Sequence, residues 1–191
     1  MTDSLEDHVV EPAEVEPAPE EEAQLTEHAP GEFEVPAGYQ VLSGSSDGGR
    51  RSVAIVVAKF NGEITSRLLE RALEELEVAN VPREAVTIVP VPGAFELPLT
   101  AIALAKTRRY ACIVALGCVV RGETPHFDFV AGEAASGLQL AAIETGVPVS
   151  FGVLTTETIE QAHARIDRAA DAVRGALEMA DVFQQLRAAA R

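Results

Sequence analysis

The 191-residue chain has no tryptophan, only 5% aromatic side chains and two cysteines. No apolar run approaches the roughly 20 residues that a membrane-spanning helix needs, and the N-terminus lacks the basic and apolar regions of a signal peptide. Cys112 and Cys118 fall in one apolar stretch, so we interpret them as reduced core residues rather than a disulfide or part of a zinc site. The sequence therefore predicts a cytoplasmic protein with no membrane span and no metal site.

Lysine and arginine are absent from residues 1–49, which hold 13 of the 30 acidic side chains. Residues 50–191 carry 17 acidic and 15 basic side chains, so their net charge is −2, against −15 for the whole chain. The first 49 residues are rich in Glu, Pro and Ala, and they have too few large apolar groups to offset the entropy lost on ordering. We predict an acidic disordered extension over 1–49 and one folded domain over 50–191. Because no basic stripe is present, nucleic-acid binding is not expected.

Short apolar strand patterns alternate with helical patterns from residue 51 onward. β-Branched apolar runs of this length are typical of buried parallel strands, and the segments between them have helical periodicity. The final segment, 158–190, reads as one helix or two. A βαβαβαβα order predicts an α/β protein with a four-stranded parallel sheet flanked by helices, whose ligands bind outside the carboxyl ends of the strands. The strand patterns are RSVAIVVAKF, AVTIVPV, ACIVALGCVV and PVSFGVLTT.

The loop after the third strand contains Gly-Glu-Thr-Pro-His at residues 122–126. Thr124 and Pro125 predict the N-cap and first position of a helix. The N–H groups at a helix start attract phosphate, and His126 in that first turn is placed to carry protons beside a bound anion. A plain capped helix with a surface histidine is the alternative interpretation.

Other polar and aromatic side chains near the predicted strand ends have two possible roles each. Phe60 follows the first strand and Phe151 is interpreted as ending the fourth, so each is either a core residue or a platform for a planar ring. Glu96 either stabilises a helix start or recognises a polar heterocycle. Arg165 is either a solvated charge or a phosphate ligand. The usual nucleotide-binding loops and the Ser or Cys nucleophile motifs are absent.

Five stretches, in order and in spacing, resemble the lumazine synthase family over residues 52–180. They are AKFNGEIT, VPGAFELP, ALGCVVRGETPHFDFV, GVPVSFGVLTTETIEQA and LEMA. The resemblance implies a flavodoxin-like, three-layer α/β/α fold and a transferase of riboflavin biosynthesis. The implied reaction condenses 5-amino-6-(D-ribitylamino)uracil with 3,4-dihydroxy-2-butanone 4-phosphate to give 6,7-dimethyl-8-ribityllumazine, phosphate and water, with no metal or organic cofactor.

The resemblance also implies a role for individual residues. His126 matches the proton-transfer histidine. Glu123, Thr124 and Arg165 match residues that bind the phosphate. Phe151 and Arg165 match residues that come from the adjacent subunit of a homo-oligomer, a pentamer that in some members forms a decamer or a 60-subunit shell. The pyrimidine and ribityl groups are assigned to Phe60, Asn61, Ala94, Phe95, Glu96, Cys118, Val119, Val120 and Phe151.

One stretch departs from the family pattern. The family usually follows the helix arginine with a turn that ends in Asn-Lys-Gly, whereas this chain has a segment several residues shorter that lacks the lysine. Arg168 and Arg174 are the candidates to replace it. Two other functions stay open: a shell-forming scaffold with weak activity, and an archaeal-type riboflavin synthase that dismutates two lumazines.

Overall fold

A computed structural model describes residues 33–190, which divide into two units. The first unit ends at Tyr39, and its described part, residues 33–39, contains one turn and no helix or strand. The disorder predicted for the acidic extension falls mainly on residues 1–32, which lie outside the described residues. In the described range, no helix combines the length and apolar character needed to cross a membrane.

The second unit begins at Gln40 and alternates strands with helices, as the sequence pattern predicts. The C-terminal segment forms two helices rather than one, and short 3-10 turns cover Arg83–Ala85 and Ala94–Glu96. The described strands and α-helices are β1 (Val53–Ala58), α1 (Gly62–Val78), β2 (Val86–Val91), α2 (Leu97–Lys106), β3 (Cys112–Val120), α3 (His126–Thr145), β4 (Val149–Thr156), α4 (Ile159–His163) and α5 (Arg168–Ala189).

The four strands form one parallel sheet in the order β2-β1-β3-β4. This order reverses direction at β1 and β3, because the chain moves outward from β1 to β2 and then returns to the other side of β1. Clefts for ligands open at such a switch point, outside the carboxyl ends of the strands. The predicted α/β class and parallel sheet are confirmed.

Alternate residues of each central strand pack into two separate apolar layers, because successive side chains of a strand point to opposite faces. Val53, Ile55 and Val57 of β1 join the layer that α1 and α5 cover, which also contains Leu68 and Leu177. The intervening residues of β1 join the layer that α2 and α3 cover, together with Leu97, Ala101 and Leu138. All six residues of β1 are buried, so a strand that alternates apolar and polar side chains would not fit here.

The start of α3 differs from the prediction by one residue. The cap position is Pro125 rather than Thr124, no side chain caps the helix, and His126 is the first helical residue. The N–H of Asp128 donates to the carbonyl of Pro125 at 3.1 Å, so a backbone bond closes the first turn. Thr124 therefore lies in the loop before the helix. The other end of α3 stops at Gly146, whose φ of 63° is a left-handed conformation suited to glycine.

Segment 43–51, just before β1, lies along α5 and converges on Asp181. Gln185 donates to the Asp181 carboxylate at 2.8 Å, the N–H of Ser45 donates at 3.2 Å, and the Arg51 guanidinium forms an ion pair with it. The hydrogen bonds from Gln185 and Ser45, together with the charge of Arg51, lower the pKa of Asp181. This polar contact ties the entry into the sheet to the last helix.

Gly44 allows segment 43–51 to approach α5 closely. A Cβ at this position would lie 2.3 Å from the carbonyl oxygen of Glu178, a distance that no side chain tolerates. The compact unit thus begins ten residues before the boundary that the sequence places at residue 50. The Gly- and Ser-rich composition of the segment conceals this docking, because it depends on backbone approach and polar pairing rather than on apolar burial.

Candidate functional site

The carboxyl ends of β1, β2 and β3 border a cavity of about 590 Å³, which we call the strand-end cavity. Its wall consists of the residues that follow β1 and β2, the last residues of β3, and one face of α3. The lining residues are Phe60, Asn61, Pro92, Gly93, Ala94, Phe95, Glu96, Cys118, Val119, Val120, His126, Phe129 and Val130. The strand-end location expected from the sheet topology is therefore observed.

Asn61 fixes the loop that carries Phe60. Its backbone is left-handed, with φ of 57°, and its side-chain Nδ2 donates to the carbonyl of Cys118 at 2.9 Å. The N–H of Phe60 donates to the carbonyl of Pro92 at 3.1 Å. Phe60 itself is 70% exposed at the cavity, although it follows a fully buried strand. An aromatic ring held in solvent by two backbone contacts is suited to stack on a planar ligand.

The turn after β2 places a carboxylate at the cavity wall. The N–H of Gly93 donates to Oε2 of Glu96 at 2.9 Å, which closes the 3-10 turn over Ala94–Glu96. Ala94 is buried, whereas the ring of Phe95 is 59% exposed. Glu96 therefore stabilises the turn and at the same time presents acceptor oxygens to a ligand, so the two roles considered for it are compatible.

The end of β3 contributes a neutral wall. Cys118 is buried beside the cavity, and burial raises the pKa of its thiol to about 11. Burial likewise raises the pKa of Cys112 to about 12. Since only a thiolate is a strong nucleophile, Cys118 at neutral pH acts as a small apolar surface and through its backbone. Both cysteines are free, as the sequence predicted.

His126 and Phe129 approach the cavity from α3. They are three positions apart and therefore share one face of the helix. Both side chains are exposed, and Phe129 is 68% accessible. Phe129 was missed by the sequence argument, although its spacing from His126 is the signal that would have found it.

Glu123 and Thr124 do not line the strand-end cavity; they lie in the exposed loop that leads into α3. Arg121 anchors this loop. Its N–H donates to the carbonyl of Thr156 at 2.9 Å, and its guanidinium pairs with Asp128 at 3.0 Å and Glu157 at 2.9 Å. Hydrogen bonds to these two carboxylates raise the pKa of Arg121.

The guanidinium of Arg121 also lies over the ring of Phe127, with 4.1 Å between its central carbon and the ring centroid. Planar guanidinium groups favour such stacking on aromatic faces. The loop is consequently fixed at its first residue and at the first turn of α3, while the residues between these points stay open to solvent.

Phe151 is placed differently from the prediction. It is the third residue of β4, pairs with Ala115 of β3, and lies three positions before the level of Cys118. The interpretation that Phe151 ends its strand beside Phe60 is therefore wrong, because β4 continues to Thr156. Within one chain, Phe151 takes no part in the strand-end cavity.

A second cavity of about 500 Å³, which we call the β4 cavity, lies between β4 and the start of α5. Phe151, Arg165 and Arg168 line it. One chain thus separates the predicted site residues. His126 and most residues predicted to bind the ring line the strand-end cavity, and Phe151 and Arg165 line the β4 cavity. Glu123 and Thr124 line neither. Within residues 33–190, no three His, Cys, Asp or Glu side chains cluster as metal ligands do.

A family profile and individual relatives of known name give the same result when compared with this chain. The sequence profile of the family described as 6,7-dimethyl-8-ribityllumazine synthase matches residues 50–184. A protein of that name from Edwardsiella ictaluri (strain 93-146) is 52% identical over 145 residues, which cover 71% of this chain and 91% of the relative. A protein of the same name from Yersinia pestis (strain Pestoides F) is 48% identical over 141 residues, covering 71% and 90% of the two chains.

Proposed function

The chain belongs to the 6,7-dimethyl-8-ribityllumazine synthase family, and we propose that its strand-end cavity is where the reaction takes place. The enzyme is a transferase of riboflavin biosynthesis that condenses 5-amino-6-(D-ribitylamino)uracil with 3,4-dihydroxy-2-butanone 4-phosphate. The observation that carries the proposal is that His126, Phe60 and Glu96, from three separate chain segments, line one cavity. The relatives are named for the synthase reaction, so the synthase is retained over the riboflavin synthase alternative.

The uracil fits the part of the cavity between β1 and β3. Phe60 presents an exposed face to the pyrimidine ring, and Val119 and Val120 form an apolar edge for it. Asn61 and Cys118 are engaged with each other, so they set the distance between these two walls. Glu96, with Ala94 and Phe95, faces the ribityl chain and the polar ring atoms, for which a carboxylate is a suitable acceptor.

His126 moves the protons that the condensation requires. Attack of the 5-amino group on the ketone forms an imine and releases one water. Elimination of phosphate removes a proton from carbon and leaves an enol, which becomes a carbonyl on protonation at carbon. The ribitylamino nitrogen attacks this carbonyl, and loss of a second water closes the ring. Each step needs a group that accepts a proton and returns it within hydrogen-bond reach. His126 begins α3 immediately after the Glu123–Thr124 loop, where we place the phosphate, so the proton carrier is adjacent to the leaving group.

We further propose that the complete site forms between neighbouring subunits of a pentamer. Phe151 and Arg165 line the β4 cavity of the same chain and not the strand-end cavity. A ring of identical subunits brings the β4 cavity of one copy against the strand-end cavity of the next. The cytoplasm is the proposed location, because two free cysteines suit a reducing compartment.

A complementation experiment tests this arrangement. His126→Ala and Arg165→Gln are co-expressed in equal amounts with different tags, mixed assemblies are purified, and formation of the fluorescent lumazine is measured. In a random ring, about a quarter of the interfaces carry both wild-type faces, so activity returns to about a quarter of the wild-type value.

Recovery no greater than the average of the two single variants would contradict a shared site. Native mass spectrometry of the same samples distinguishes a pentamer from a decamer or a 60-subunit shell. Large particles of the wild-type protein that form no lumazine would instead favour the scaffold interpretation.

A further inference from the structure

The turn between α4 and α5 is short and contains no lysine. It covers residues 164–167, and the only lysines of the chain, Lys59 and Lys106, lie in other segments. If the β4 cavity supplies the charge that holds a phosphate, that charge comes from arginine. Arg165, Arg168 and Arg174 are the arginines in or after this turn before the last turns of α5.

Arg165 and Arg168 line the same cavity and are fixed relative to each other. The N–H of Arg168 donates to the carbonyl of Arg165 at 3.0 Å, so the two residues are one helical turn apart. Side chains at this spacing point to the same side of the backbone. Two guanidinium groups so placed can donate several hydrogen bonds to one dianion, which is the arrangement that suits a phosphate monoester.

The interactions that Arg165 and Arg168 make within the chain are weak. Nη1 of Arg165 donates to the carbonyl of Gln161 at 2.9 Å, and among the described residues no carboxylate forms an ion pair with it. Arg168 pairs with Asp171 at 3.1 Å, but the two side chains are 65% and 49% exposed. Exposed pairs of this kind contribute little stability, so the guanidinium of Arg168 can leave Asp171 for a phosphate at small cost.

Arg174 is bound in a different place. Its guanidinium donates to Glu75 of α1 at 2.7 Å and to Asp171 at 2.6 Å, and these hydrogen bonds raise its pKa. Glu75 is only 8% exposed and also accepts from Arg71 at 3.0 Å. Withdrawing Arg174 would leave a nearly buried carboxylate with one partner fewer, which is costly. Arg174 does not line the β4 cavity, and its role is to join α1 to α5.

We infer that Arg168, acting with Arg165, binds the phosphate of the four-carbon substrate, and that Arg174 does not. The inference rests on the proposed function for the identity of the phosphate ester. Arg168 is a binding residue in this scheme, since it contacts the leaving group and takes no part in proton transfer. The shorter turn therefore places the second positive charge at the first residue of α5, and the cavity holds two cations beside the exposed carboxylate of Asp171.

Three variants of the assembled protein test the inference: Arg168→Gln, Arg174→Gln as the matched control, and Arg168→Lys as the conservative change. Arg168→Gln is expected to raise KM for the butanone phosphate about tenfold, because hydrogen bonds to a charged group are lost, and to leave KM for the uracil unchanged. Arg168→Lys restores part of the loss. Arg174→Gln lowers the midpoint of thermal unfolding and leaves both KM values unchanged.

The inference is overturned if Arg174→Gln raises KM for the phosphate substrate while Arg168→Gln does not. It is also overturned if Arg168→Gln raises both KM values equally, since that result indicates a general structural role. Circular dichroism of each variant verifies that the exposed substitutions leave the fold intact.

Binding of inorganic phosphate, followed by isothermal titration calorimetry, separates this inference from the proposed reaction. If the wild-type protein forms no lumazine, the proposed function fails, yet weaker phosphate binding by Arg168→Gln would still support the two-arginine site. If the wild-type protein is active and Arg168→Gln binds phosphate as tightly as wild type, the inference fails while the proposed function stands.

Discussion

The strand-end cavity and the β4 cavity differ in how their side chains are held. In the first, Asn61 and Glu96 each make a hydrogen bond of 2.9 Å to the backbone, and the wall behind them is buried. In the second, Arg165 and Arg168 are exposed and make contacts that are easily exchanged. This difference fits the proposed function, in which the fixed side chains of the strand-end cavity bind the flat ring and the exposed arginines bind the anion. The exception is Phe151, which is assigned to the ring but lines the β4 cavity with these arginines.

The largest expected effect on the rate of lumazine formation comes from substituting His126, which lines the strand-end cavity. His126→Ala is expected to slow lumazine formation roughly 100- to 10,000-fold, because a positioned proton carrier contributes about that much. His163→Ala is the matched control, since His163 lies on α4 and contacts Arg67 at 2.7 Å, outside the strand-end cavity. A steady-state assay of fluorescence measures both variants. A normal rate for His126→Ala would refute the role assigned to it.

The two phenylalanines test whether the cavities act on the same substrate. Phe60→Leu and Phe151→Leu each remove one ring, and loss of stacking worth about 0.5–1.5 kcal/mol predicts a two- to tenfold rise in KM for the uracil. KM for the phosphate substrate serves as the internal control. If only Phe60→Leu raises KM for the uracil, the uracil is bound by the strand-end cavity and not by the β4 cavity.

Arg121 connects the loop over residues 122–125 with α3 through Asp128 and with the segment before α4 through Glu157. Arg121→Met is expected to loosen residues 122–125 and to raise KM for the phosphate substrate a few-fold, with little effect on thermal stability because the pairs are exposed. Arg83→Met, which removes an exposed pair with Glu77, is the control and should change neither quantity. Unchanged kinetics in Arg121→Met would show that the loop keeps its form without this anchor.

The smallest effect is expected at the contact between segment 43–51 and α5, the helix that carries Arg168. The pKa of Asp181 is lowered from its ordinary value of 3.8, so its contribution to stability is present above pH 3.8 and is lost as the pH falls further. Asp181→Asn should therefore lower the unfolding midpoint at pH 7, and the difference from wild type should shrink in acid. Glu144→Gln, at an exposed carboxylate of α3 away from this contact, is the control. A difference that grows below pH 3.8 would contradict this assignment.

Much of the fold was predictable because burial imposes a regular pattern. The all-apolar strand at residues 53–58 cannot be solvated on either face, so it belongs in the middle of a covered parallel sheet. The helices between strands follow from the requirement for crossover connections in such a sheet. Boundaries were less certain where backbone bonds replace side-chain caps, as at Pro125.

The candidate site was predictable only in part. Loops that end strands β1, β2 and β3 meet at one edge, so Phe60, Glu96 and His126 could be grouped before their geometry was known. Phe151 was misplaced because an apolar run does not show where a strand stops, and β4 extends five residues beyond it. The docking of segment 43–51 could not be foreseen, since it depends on the close approach at Gly44.

Position 61 requires both a left-handed backbone and a short side-chain donor, and asparagine supplies both. Glycine would adopt the left-handed backbone easily, but it would lose the donor that reaches the carbonyl of Cys118. Aspartate tolerates the same backbone, yet it would set a negative carboxylate against that carbonyl oxygen. Glutamine keeps the amide but has neither the short reach nor the tolerance for a positive φ. A search of random substitutions at residue 61 should therefore recover asparagine alone at full activity, even though its side chain need never touch a substrate.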